Sequence, residues 1–252
     1  MVPTIHIKNA TLAYDKKTIF SHLNIDINAG KWVALLGPSG VGKSSFLRMM
    51  AHLTAEKEET YGIIYADNGV PVFQQVAYMA QTDLLLPWLT LLQNVTLKLK
   101  LRSHTREEIA NDMLKATSLL GQAGLGDAMD LYPYQLSGGM RQRAALVRTL
   151  MEEKPIILMD EPFSALDAIT RYKLQELAID LLKNKTVVFV THDPAEALRL
   201  ADEIYIMQGN PATLKAIATL SSTAPRELAE PELISLQGLL FQELTQAVGE
   251  WL

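Results

Sequence analysis

The chain has 252 residues, 23 Lys and Arg against 28 Asp and Glu for a formal net charge of −5, 48% hydrophobic residues and no cysteine. That length supports a sizeable core in one large domain or two small ones. The negative balance argues against nucleic acid as a partner held by phosphate neutralisation, and the lack of cysteine excludes disulfides and thiolate metal sites.

The opening MVPTIHIKNA has no basic stretch followed by an apolar core, so no secretion signal is expected. From Thr4 to Ile27, Ile5 and Ile7, then Leu12 and Tyr14, then Leu23, Ile25 and Ile27 alternate with polar or turn residues. That period predicts short, half-buried antiparallel strands. Asn28-Ala29-Gly30-Lys31 reads as a turn into a strand over Trp32 to Leu36.

GPSGVGKSS follows: Gly37, Pro38, Ser39, Gly40, Val41, Gly42, Lys43, Ser44 and Ser45, leading into a helix expected to run to about Leu53. The pattern G-x-x-x-x-G-K-[ST] lets backbone N–H groups turn inward around a polyphosphate at a helix N-terminus, where the partial positive charge favours an anion. Lys43 brings a point charge to the outer phosphates, and Ser44 offers a hydroxyl ligand to Mg²⁺. These residues predict a nucleoside triphosphate site without specifying the reaction.

Glu56 to Glu59 reads as a solvated turn, and a strand pair is expected near Gly62 to Tyr65 and Val76 to Met79. From Thr82 to Leu150 the period becomes helical, over Leu91 to Leu101, Arg106 to Leu120 and Gly138 to Met151. This predicts a mostly helical insert on an α/β core. The longest apolar run, around Leu84 to Leu92, is broken by Pro87 and falls short of the roughly 18 residues a membrane span requires, so any membrane association is expected through a partner. Ser137 is a good N-cap, and Gly138 and Gly139 leave bare N–H groups at a helix mouth able to take a phosphate contact.

Ile156 to Met159 and Val187 to Val190 are continuous apolar runs, the mark of parallel strands covered on both faces, with a helix expected from Ala168 to Leu182 between them. The alternation of strand and helix predicts an α/β fold. Asp160-Glu161-Pro162 then falls at the carboxyl edge of the sheet, with the phosphate loop. Asp160 there can hold Mg²⁺ and Glu161 can polarise an attacking water. Beyond Pro211, residues 221–225 read as a loop and Pro231 to Val248 as one amphipathic helix with a packing role.

Taken together, GPSGVGKSS, LSGGM, IILMDEP, the turn Ser164-Ala165-Leu166-Asp167 and VTHD at Val190 to Asp193 resemble the ATP-binding subunit of an ABC transporter, from about Ile5 to Met207. The resemblance implies a P-loop NTPase core, with a mostly parallel sheet, an antiparallel β subdomain and a helical subdomain. It divides one ABC ATPase domain into 1–81 with 152–210, a helical subdomain at 82–151 carrying the signature, and a C-terminal helical extension at 211–252. ATP and Mg²⁺ are the implied ligands. It implies that Tyr14 stacks on adenine, Gln81 senses Mg²⁺ and the nucleophilic water, and His192 contacts the γ-phosphate. Asp167 is implied to communicate across a dimer. In such a dimer, Ser137, Gly138 and Gly139 of one copy face ATP on the phosphate loop of a second ATP-binding subunit.

Leu85 to Thr90, Asn94-Val95 and LSGGMRQR further resemble the importer cassettes of the nitrate, sulfonate, taurine and thiamine-precursor group. That implies membrane permease subunits contacting the region near Trp88, a separate substrate-binding protein, and a peripheral place on the cytoplasmic face of the inner membrane. Met140 stands where most ABC proteins have glutamine, Tyr134 where this group has histidine, and Lys31 where glutamate is common. His6, His22, His52 and His104 read as structural. A second reading is a soluble ABC protein acting as a mechanical or assembly factor.

Overall fold

The computed structural model describes residues 2–101 and 105–251, so His104 lies outside the described residues. They form two compact units, one of Met1–Val76, Pro155–Glu161 and Lys183–Leu252, the other of Ala77–Lys154 and Pro162–Leu182.

The first unit begins with β1 (Ile5–Tyr14), β2 (Lys17–Ile27), β3 (Trp32–Leu36), α1 (Lys43–Met50) and β4 (Glu58–Ala66). Where short strands were expected, β1 and β2 are long ones, bent by irregular register and by left-handed backbone at Asn9 and His22. α1 stops at Met50, short of Leu53. His52 turns left-handed, and the Leu53 N–H donates back to the Arg48 carbonyl, closing the helix end. β4 pairs antiparallel with β1 as the edge of a sheet ordered β2-β1-β4. It therefore does not form the expected pair with β5 (Val76–Met79), which lies outside that sheet.

In the second unit α2 (Leu91–Val95), α3 (Lys98–Leu101), α4 (Arg106–Gln122) and α5 (Gly138–Leu150) fill the stretch expected to be helical. The helix expected over Leu91 to Leu101 is broken after Val95, where the Thr96 hydroxyl donates to the Leu92 carbonyl and competes with the helix ladder. Thr105 and Glu108 form a capping box at α4. Leu91, Val95, Leu120, Ala144 and Val147 make the core of this unit.

Next come β6 (Ile156–Asp160), α6 (Ala168–Leu181), β7 (Thr186–Val190), α7 (Pro194–Leu200), β8 (Glu203–Gln208), β9 (Thr213–Thr219) and α8 (Pro231–Trp251). β6, β7, β3 and β8 are parallel neighbours in that order, and β9 runs antiparallel beside β8. Every residue of β3, β6 and β7 is buried, as the continuous apolar runs require. α6 connects two of these strands, yet it belongs to the second unit, because Leu177 and Leu181 pack on the helical core. The C-terminal stretch contains β9 as well as a helix, and both belong to the first unit. α8 buries Leu233, Leu240 and Ala247 along one stripe and packs against α7 and β8.

Phe189 on β7 is fully buried edge-to-face with Trp32 of β3, at 6.0 Å between ring centroids. Phe189→Ala should cost about 3–5 kcal/mol, while Tyr61→Ser on the exposed face of β4 should stay within about 0.5 kcal/mol. Denaturant unfolding of both variants checks the contrast.

Candidate functional site

β3 delivers the chain into the loop at Gly37, whose φ is +146°. A Cβ at Gly37 would lie 2.3 Å from the Met207 carbonyl oxygen of β8, so only glycine lets the loop pass there. Pro38 and Val41 are buried, Ser39 and Gly40 exposed, and Gly42 is the N-cap of α1. The N–H groups in the first turn of α1 have no partner within the helix and carry its positive dipole end. Ser45 accepts a hydrogen bond from Arg48 Nη2 at 3.0 Å.

Lys43 is 7% exposed, and its Nζ donates to the carbonyls of Gly37 and Pro38, both at 2.8 Å. Burial pushes its ammonium below the ordinary lysine range, and the Glu161 and Asp160 carboxylates oppose that shift. Ser44 Oγ donates to Asp160 Oδ1 at 3.0 Å. Burial pushes the Asp160 carboxyl above its ordinary range; the Ser44 hydrogen bond pulls it back only in part.

Glu161 sits just past β6 in left-handed backbone, φ +49°, a conformation costly for a side chain with a Cβ and concentrated at functional sites. Its N–H donates to the Val190 carbonyl at 3.0 Å, and its Oε2 lies 3.4 Å from His192 Nδ1. The His192 side chain is 63% exposed. Next to it, Thr191 donates to Glu196 Oε2 at 2.6 Å, and Asp193 caps α7 by accepting from the Ala195 N–H at 2.9 Å. Tyr14 is half exposed at the end of β1, paired with Lys17 across the turn into β2; that strand's Ile19 and Phe20 flank Gly42.

The residues suit Mg²⁺ with a phosphate chain. A serine hydroxyl and one carboxylate are hard oxygen donors, and Mg²⁺ commonly completes its shell with phosphate oxygens and water. Among the described residues no three His, Cys, Asp or Glu side chains cluster to hold a metal alone.

The second unit holds the remaining candidates. Gln81 is exposed, two residues beyond β5. Ser137 caps α5, its Oγ accepting from the Met140 N–H at 3.3 Å. A Cβ on Gly139 would come within 3.0 Å of Leu166 Cδ2, and Gln142 Oε1 accepts from the Ala165 N–H at 3.2 Å. The signature helix and the turn of residues 164–167 are therefore neighbours. Asp167 caps α6, and the Thr170 amide, donating at 3.0 Å, holds its carboxyl below the usual range.

Four residues given no site role from sequence organise this unit. Asn94, fully buried, donates from Nδ2 to the carbonyls of Leu86, Leu89 and Thr90, and accepts from the Leu86 N–H at 2.7 Å. Arg141 Nε donates to Asp83 Oδ2 at 3.0 Å, and Arg148 donates to the carbonyls of Asp83 and Leu84. The spacing of Arg141 and Arg148, two turns apart on one helix face, was the available signal.

The family model described as ABC transporter matches residues 20–164. The chain belongs to the ABC transporter family. It is 42% identical over 246 residues to an uncharacterized ABC transporter ATP-binding protein of Haemophilus influenzae, covering 95% of this chain and 98% of that one. It is 32% identical over 247 residues to the aliphatic sulfonates import ATP-binding protein SsuB of Bacillus subtilis, covering 96% and 94%. The fold matches the ATP-binding cassette MJ0796, solved as a dimer in a post-hydrolysis state with ADP and Pi, at a TM-score of 0.73 and 30% identity, over 87% of this chain and all of that one. This ABC protein is thus an ATP-binding subunit and an ATPase, with the P-loop fold expected for it.

Two outcomes test the geometry. In the folded chain Asp160 holds its proton more tightly than in the unfolded chain, so its contribution favours folding at low pH and is lost as pH rises through its raised value. Asp160→Asn should therefore gain in Tm relative to the wild type as pH rises from about 4 to about 7, read by thermal scans in matched buffers. Asn94→Leu leaves the backbone groups of residues 86–90 without their partner and should cost about 2–3 kcal/mol. Limited proteolysis should then cut that loop first.

Proposed function

We propose that this subunit hydrolyses ATP to drive an importer for a small molecule of the nitrate, sulfonate, taurine or pyrimidine-precursor kind. The observation that carries this reading is the cluster of Lys43, Ser44, Asp160, Glu161 and His192 at one edge of the first unit. Relatives named as aliphatic sulfonate import ATP-binding proteins support the direction and the solute class.

Lys43 exchanges its two loop carbonyls for the outer phosphate oxygens, a trade of neutral acceptors for charged ones. Ser44 and Asp160 would hold Mg²⁺, which would neutralise charge on the phosphates; Gln81 keeps the role the family resemblance implies, sensing that ion and the attacking water. Glu161 accepts the proton of the attacking water, and His192 hydrogen-bonds the γ-phosphate. Tyr14 offers its exposed ring to adenine. Ser137, Gly138 and Gly139 act on a second copy's nucleotide, with Asp167 reporting across the interface, so the working unit is a dimer.

No helix among the described residues is long and apolar enough to cross a membrane. In this reading permease subunits are contacted by the loop carrying Trp88, which is 68% exposed and an apt interface anchor. The Asn94 hydrogen bonds give that anchor a rigid base. The subunit works at the cytoplasmic face, with a separate binding protein supplying the solute.

Glu161→Gln should retain ATP affinity within about threefold and lose about a hundredfold or more in hydrolysis, accumulating an ATP-bound dimer on size exclusion. Full steady-state hydrolysis by this variant removes Glu161 from the role of base. Affinity capture of the tagged chain from its own membranes should bring down a multi-span protein; recovery of soluble partners alone rules out the importer.

A further inference from the structure

Two buried arginines outside the site join the C-terminal segment to α7. Arg199, in the last turn of α7, and Arg226, between β9 and α8, are each 2% exposed. Arg226 Nη1 donates to the carbonyls of Leu198 at 3.2 Å and Ala201 at 2.7 Å, and its backbone N–H donates to the Arg199 carbonyl at 2.9 Å. These carbonyls close the C-terminal end of α7, where a helix leaves its acceptors without partners and favours a cation. Arg199 Nη1 returns a bond to the Arg226 carbonyl at 3.1 Å. Ser222 holds the remaining edge of the Arg226 guanidinium through its Oγ at 2.9 Å and its carbonyl at 2.6 Å. Burial pushes the Arg226 guanidinium below its usual range, opposed by the Asp202, Glu230 and Glu232 carboxylates.

The other end of α7 is the candidate site. Its cap Asp193 directly follows His192, and Glu196 on its first turn accepts from Thr191 directly before it. α7 has seven residues and is therefore about 10 Å long, so its Arg226 end lies about two turns from His192.

We propose that Arg226 is a positioning residue for His192. By gripping α7, the C-terminal segment holds the imidazole beside the Glu161 carboxylate, and release of that grip slows hydrolysis without emptying the nucleotide site. The catalytic consequence rests on the role proposed above for His192; the mechanical link between Arg226 and His192 does not.

The test uses the nucleotide-free full chain labelled with ¹³C-histidine, with the His192 ring signal assigned by its loss in His192→Asn. Arg226→Lys keeps the charge but cannot reach Leu198, Ala201 and Ser222 together. The His192 signal should move or split in this variant, while those of His6, His22 and His52 stay in place and report an intact fold. In parallel, kcat should fall about tenfold or more, with ATP affinity unchanged within about twofold. If Arg226→Lys does not fold, Ser222→Ala, which loosens the same guanidinium, carries the same expectations. An unmoved His192 signal in a folded variant that has lost Tm reduces Arg226 to a helix cap and overturns the proposal. A moved signal with unchanged kcat overturns its link to hydrolysis. A wild-type chain without ATPase activity sinks the functional reading instead, and the ring signals still decide the coupling.

Discussion

The constraint at the centre of the first unit is a lysine ammonium largely removed from solvent. Lys43 is covered by its own loop, and two neutral carbonyls hold its ammonium while two carboxylates oppose the desolvation only in part. Much of the local architecture follows. Gly37 must be glycine because the Met207 carbonyl occupies the space of a side chain. Asp160 must end a strand buried throughout, so that its carboxylate lies under Ser44 and is itself denied water. The site thus gathers buried polar groups and a left-handed Glu161 at one sheet edge.

The second unit solves a different problem, that of making loops rigid. Asn94 spends its whole hydrogen-bonding capacity on the backbone of residues 86–90, and Asp83 meets Arg141 and Arg148 from α5. Trp88 is thereby exposed on a loop whose backbone is held by Asn94. Gln142 and the close approach of Leu166 to Gly139 tie the signature helix to the turn that ends at Asp167. Motifs distant in sequence are joined by hydrogen bonds from buried and half-buried side chains as well as by the apolar core.

The legible parts of the fold were those in which chemistry is local. Period and capping gave β3, β6, β7, α4 and α5 nearly to the residue, because a strand buried on both faces must be apolar throughout and a helix must satisfy its first N–H groups. Failures came where a long-range contact overrides period. Thr96 breaks a good helical pattern by taking a carbonyl, and β4 finds its partner in β1 across a long sequence separation. α6 has the place in the chain of a helix covering the sheet, yet Leu177 and Leu181 commit it to the helical core.

For this protein the sequence alone singled out the candidate groups: the glycine loop, Lys43, Ser44, the Asp160-Glu161 pair and the Ser137 helix mouth from residue type and spacing along one chain, and His192 from the family resemblance. Tertiary structure decided which of them meet. That Glu161 stands 3.4 Å from His192, that Ser44 bonds to Asp160, and that a tail read as packing closes α7 through Arg226 are facts about strand order and burial. They depend on contacts between residues far apart in the chain, whose cost in conformational entropy is repaid only by the whole core, and no local pattern carries that information.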